Sequence, residues 1–184
     1  TGFFNAKYGY SGNSYEYLGN RFEEIFLMEK GVPYRFVSED ITEILPGIYV
    51  ITNFPRIHPD ELISPRFKIH KDGEFVHDLF NDEVLIAIDT PEGIVVLLGC
   101  SHPGVRNMLD HVKALLKKPI YAVVGGTHLV EASSESMDKA SEYLTGADMG
   151  LIGVSHCTGK TAMSKLGASN DKYFQNSTGT TLIV

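Results

Sequence analysis

Three apolar runs in the second half of this 184-residue chain each lead into a short polar tract containing glycine and histidine. Val95 to Leu98 leads into Gly99-Cys100-Ser101-His102, and Ile120 to Val124 into Gly125-Gly126-Thr127-His128. Gly150 to Val154 leads into Ser155-His156-Cys157-Thr158-Gly159. Behind the first tract, Val105, Met108, Leu109, Val112, Leu115 and Leu116 recur at a spacing near 3.6, the stripe of a one-sided helix. Further helices are predicted over Met137 to Leu144, behind capping serines, and over Lys160 to Leu166. Strand, loop and helix in three successive rounds imply an α/β layered sheet with helices packed on it. In such sheets the carboxyl ends of neighbouring strands face a common crevice, where ligands bind.

The preceding segments read less regularly. A strand over Val84 to Ile88 and a turn at Thr90-Pro-Glu-Gly93 make a hairpin with Ile94 to Leu98. Pro46-Gly47 joins Thr42 to Ile44 and Ile48 to Thr52 as a second hairpin. Tyr34 to Val37 is predicted as a short strand, Arg21 to Lys30 as a helix stopped by Gly31 and Pro33, and Thr180 to Val184 as a closing strand. Phe3 to Asn20 has no period, and its tyrosines read as rim or packing aromatics. Asn53 to Lys71, with Pro55, Pro59 and Pro65, reads as loop. The expected organisation is one domain over residues 1–184, irregular over 1–77 and regular over 78–184.

Composition narrows the function classes. Sixteen Lys+Arg against 23 Asp+Glu give a net charge of −7. With no arginine-rich run, this argues against a general nucleic-acid binder. No run approaches the roughly 18 apolar residues of a membrane span, and no signal-like segment opens the chain. Two cysteines far apart in sequence suit a reducing cytoplasm. The expected partner is a small-molecule substrate, with no nucleic acid and no membrane.

A single strand-end histidine is usually a hydrogen-bonded structural residue, but three at equivalent tips point to a site. Imidazole is a common ligand of divalent ions. His102, His128 and His156 are therefore the candidate site residues. His111, off the helix stripe, is expected to be solvated, and His58 and His70 to be surface residues. His77, Asp78 and Asp82 stand at the entry to the core and could face the cleft. Cys100 and Cys157 adjoin the tracts, as buried hydrophobes, a redox pair or thiolate ligands. Gly159-Lys160-Thr161 has the ending of a phosphate-binding loop, but five residues rather than four separate Gly153 from Gly159, which argues against a nucleoside triphosphatase. Lys160 and Thr161, at a helix start, remain candidates for holding a substrate phosphate.

Val95-Val-Leu-Leu-Gly-Cys-Ser-His-Pro-Gly104, Val123-Val-Gly-Gly-Thr-His-Leu129 and Ile152-Gly-Val-Ser-His-Cys-Thr-Gly159 together resemble the metallo-β-lactamase superfamily. The similar branch is that of dihydropterin–ribofuranosylaminobenzene 5′-phosphate synthase-like metal-dependent hydrolases, whose last strand Asn176 to Val184 also resembles. The resemblance implies an αββα sandwich with one or two divalent ions: zinc first, with manganese or iron as alternatives. It implies His102 and His156 as metal ligands, with Cys100 near the same slot. His128 becomes a catalytic residue, as ligand or transition-state contact. The implied activity is hydrolysis of a small phosphorylated substrate by a metal-activated water. The superfamily's His-x-His-x-Asp-His tract does not occur here. The expectation is that an N-terminal portion of one αβ half is missing, so that an apolar sheet face is exposed unless that segment or a homo-oligomer covers it. The alternative is a non-enzymatic, metal-free sensor or interaction domain of the same fold.

Overall fold

The computed structural model describes residues 2–169 and 171–183. Its larger sheet has six strands in the order β10-β9-β8-β7-β4-β3. These are β3 (Ile41–Leu45), β4 (Ile48–Ile51), β7 (Leu85–Thr90), β8 (Gly93–Leu98), β9 (Ile120–Gly126) and β10 (Met149–Ser155). The smaller sheet, β2-β1-β5-β6, is built from β1 (Ala6–Tyr10), β2 (Tyr15–Tyr17), β5 (Phe67–Lys71) and β6 (Glu74–His77). Helices α2 (Val105–Leu116), α3 (Ser134–Thr145) and α4 (Lys160–Ser169) follow β8, β9 and β10, and a short α1 (Glu24–Glu29) lies earlier. The α/β class with two sheets is thus as the sequence implies.

Pairing explains the layering. β8, β9 and β10 run parallel, as strands connected through helices must. β3–β4, β4–β7 and β7–β8 pair antiparallel, the first and last as hairpins. In register, Ala87 faces Val96, Val96 faces Val123 and Val123 faces Ile152, one row across four strands. Against that row pack Val105, Met108, Leu109 and Val112 of α2, Ala140 and Leu144 of α3, and Ala162 and Leu166 of α4, all buried. Each fully buried Leu, Ile or Met side chain contributes about 1.5–3 kcal/mol. The alternate row points away from the helices. There Ile86 and Leu97, paired in register, are 36% and 37% exposed, while Val95 on the same row is buried.

The N-terminus of α2 shows how a distant loop completes a helix. Gly104 precedes it with no side-chain cap. The Glu61 carboxylate accepts from the Arg106 and Asn107 backbone N–H groups, each at 2.9 Å. A side chain at Gly104 would collide with that carboxylate.

Several expectations are corrected. Phe3 to Asn20 contains β1 and β2, paired Tyr8 to Tyr17 and Tyr10 to Tyr15. The tyrosines therefore alternate along strands rather than line a loop. Asn53 to Lys71 ends in β5, because its prolines all precede Phe67. Tyr34 to Val37 forms no strand, and neither do residues 180–183; Val184 lies outside the described residues. Instead Tyr173 bridges to Ile152 beside β10. His111 is only 9% exposed, set edge-on to Phe54 at 5.8 Å, rather than solvated. His58 is half-buried and bonded to Asp110 at 2.7 Å.

Candidate functional site

The three parallel strands each turn off the sheet through a non-glycine residue in the left-handed region: Ser101 at φ 62°, His128 at φ 52° and His156 at φ 55°. For L-residues that conformation costs about 1–2 kcal/mol, and histidine is among those that enter it more readily. The tips are tied to one another. Gly126 N donates to Gly99 O at 3.0 Å, Ser101 Oγ to Gly126 O at 2.7 Å, and Thr127 Oγ1 to Thr158 Oγ1 at 3.1 Å.

Two side-chain clusters result. In the first, one ligand atom each from Cys100, His156 and Cys157 lie within 4.8 Å of one another. Donors around a tetrahedral zinc stand about 3.5–3.8 Å apart, so small rotations bring these three onto one ion. Two sulfurs and an imidazole suit a borderline-soft divalent cation and are poor ligands for magnesium or calcium. Gly126 makes the meeting possible, since a Cβ there would stand 2.6 Å from Cys157 Sγ. The thiols polarise each other. Their mutual hydrogen bond, then burial, pushes Cys100 far above the ordinary thiol value. The same bond, with backbone N–H groups of His128 and Cys157 itself, brings Cys157 down to about 7.

In the second cluster His102 and His128 meet edge to face, with ring centroids 4.6 Å apart. Phe80 stacks flat on His102 at 3.8 Å, and Phe67, the first residue of β5, touches both imidazoles. Glu83 bonds His102 Nδ1 at 2.6 Å. Both nitrogens of His128 are buried with no hydrogen-bond partner among the described residues. An unsatisfied buried polar group costs about 1–3 kcal/mol. His128 lines a cavity of about 430 Å³, while His102 and Cys100 line another of about 580 Å³. Phe67 borders both.

No family profile matches the chain. It is 32% identical over 130 residues to a Methanocaldococcus jannaschii protein named 7,8-dihydropterin-6-methyl-4-(beta-D-ribofuranosyl)-aminobenzene-5'-phosphate synthase, covering 67% of this chain and 43% of that one. It is 30% identical over 162 residues to an uncharacterized protein of the same organism, covering 88% and 59%. A solved metal-dependent hydrolase of the β-lactamase superfamily superposes with a TM-score of 0.76 at 27% identity, over 94% of this chain and 64% of that chain. The chain has the metallo-β-lactamase superfamily fold. It spans about half the length of the curated relatives it matches.

Within that metallo-β-lactamase fold, the sequence-derived residues fall into adjoining groups. His102 and His128 touch; His156 joins the two cysteines. Cys100 connects the groups, because it also lines the same cavity as His102. Among the described residues, His102 belongs to no three-donor group with His156. Lys160 and Thr161 are exposed at the start of α4 and line neither cavity. Asp78 and Asp82 do not reach the histidines but hold Lys7, at 3.0 and 2.8 Å. Burial pulls the Lys7 value down, but the bonds and charges of these carboxylates outweigh it and the net shift is upward. His77 is exposed on β6 and bonds Ser64 O. Sequence reasoning missed Glu83 altogether. Its only signal was a carboxylate just before a buried strand, which fits a dozen commonplace roles.

Proposed function

We propose that this protein is a metal-dependent hydrolase acting on a small phosphorylated molecule. The observation that carries the reading is the Cys100–His156–Cys157 donor group, beside an imidazole pair, at the tips of three parallel strands. The similarity to a metal-dependent hydrolase and to a synthase named for a 5'-phosphate compound supports it. Cys100, His156 and Cys157 would hold the cation, with His102 as the neighbouring imidazole. When bound, a zinc ion supplies Lewis acidity and a water that ionises near neutral pH.

The chain's own groups do the rest. His128 offers two buried, unpaired nitrogens toward a cavity wall, poised to donate to a developing oxyanion or take a proton. Phe67 and Phe80 keep water off the imidazoles. For the phosphate, the nearby cations differ in availability. Lys7 is held by Asp78 and Asp82, Arg66 by Glu131, and Arg106 by Asp60 and Glu61. Lys160 makes no ion pair among the described residues and stands with Thr161 where backbone N–H groups open a helix.

Metal analysis of the purified full-length protein, with hydrolysis of p-nitrophenyl phosphate and its bis-ester, tests the reading. The expectation is stoichiometric zinc and a turnover that His156→Ala removes along with the metal. Protein that takes up neither zinc nor manganese and cleaves neither ester would refute it.

A further inference from the structure

We propose that Glu83 is the positioning residue of His102. Its carboxylate accepts the hydrogen bond of Nδ1–H and thereby leaves Nε2 as the lone-pair atom of a ring that lines the 580 Å³ cavity.

Three contacts converge on that ring. Glu83 Oε2 stands 2.6 Å from His102 Nδ1, with the two side chains 10% and 17% exposed. The other oxygen, Oε1, accepts from Ser101 N at 3.2 Å, so the carboxylate is anchored on the backbone that carries the imidazole. Gly99 lets it approach, since a Cβ there would stand 3.3 Å from Oε1. Phe80 lies parallel to the ring at 3.8 Å, and His128 abuts its edge at 4.6 Å. The ring can neither flip nor tilt without losing a charge-assisted bond or a stacked face. A carboxylate on one imidazole nitrogen fixes the tautomer and raises the basicity of the other. Among the described residues no group bonds Nε2, and both Glu83 and His102 line the cavity. An imidazole clamped on all sides but one is a reactive atom set in place. The purpose of the arrangement rests on the hydrolase reading; its geometry does not.

Long-range 1H–15N correlation spectra of the metal-free protein at pH 8 read the tautomer directly, the His102 signals being assigned with His102→Asn. Wild type is expected in the Nδ1–H form. Glu83→Gln, which keeps an acceptor oxygen, is expected to retain it, and Glu83→Ala to lose it, with the His58 and His70 signals unmoved as the control for folding. An Nε2–H form in wild type, or an unchanged tautomer in a folded Glu83→Ala, overturns the proposal. Titration with zinc alone separates the two readings. A tautomer as stated in a protein that binds no zinc upholds Glu83 while removing the hydrolase. Binding weakened about tenfold or more in Glu83→Ala upholds both.

Discussion

A β-carbon on Gly126 would stand 2.6 Å from the sulfur of Cys157. The two residues lie on neighbouring strand tips, and the empty space above Gly126 is where Cys157 reaches Cys100, whose carbonyl it bonds at 3.4 Å. Gly126→Ala is therefore expected to weaken zinc binding about tenfold or more, although it removes no ligand. Because Gly99 O also lies 2.6 Å from that β-carbon, a stability loss of about 1–3 kcal/mol should accompany it. Isothermal titration with zinc and urea unfolding measure the two effects separately. Unchanged zinc affinity in a folded variant would remove Cys157 from the donor group.

The two thiols should differ sharply in reactivity. Cys157 is an acid whose value is brought down to about 7, so in metal-free protein its thiolate appears as pH rises through about 7 and vanishes below. Cys100, shifted upward, stays protonated across that range. Iodoacetamide alkylation followed by peptide mass spectrometry should show Cys157 labelling with a midpoint near pH 7 and Cys100 labelling only in strong alkali. Equal rates at both would contradict the polarised pair. Zinc should protect both.

His128 combines a left-handed backbone with two unsatisfied buried nitrogens, which is a poor arrangement for stability alone. Asparagine tolerates the same backbone and is smaller. His128→Asn is expected to leave the melting temperature unchanged or raised while lowering turnover by about a hundredfold or more. A strong loss of stability with full turnover would make His128 a structural residue.

Lys160→Ala should raise KM for a phosphorylated substrate about tenfold with kcat little changed, the pattern of a group that holds substrate equally in ground and transition states. A neutral ester lacking the phosphate should show no difference. Equal effects on both substrates would place the phosphate elsewhere.

Glu61→Ala tests the fold rather than the chemistry. It strips two acceptors from the first turn of α2 and leaves Arg106, whose side chain is 8% exposed, with Asp60 as its remaining partner. The expected loss is about 2–3 kcal/mol in urea unfolding. A change under about 0.5 kcal/mol would mean that water or another side chain caps the helix equally well.

The sequence announced some of these features and concealed others, for physical reasons. α2 was legible to the residue because its apolar residues from Val105 to Leu116 recur at helical spacing and Lys117-Lys118-Pro119 stops it. β7 to β10 were legible because they are continuous apolar runs. The small sheet was not: β1 is Ala-Lys-Tyr-Gly-Tyr and β5 Phe-Lys-Ile-His-Lys, whose strand character comes from pairing across about 60 residues rather than from local pattern. The three tip histidines were visible through their glycines and their repetition. That His156 would side with the cysteines and His102 with Glu83 was not, because a left-handed turn rotates a side chain by an amount no spacing encodes. The burial of His111 was hidden too, since Phe54, which covers it, lies in the proline-rich stretch read as loop.

One ring, that of Phe67, walls off both chambers beside the imidazoles and is the place where the four-stranded sheet leans on the six-stranded one. The two chambers thus share one aromatic wall. Shaving that ring to a methyl would merge two rooms into one corridor, and the size of molecule admitted would then be set by the smaller sheet rather than by the histidines.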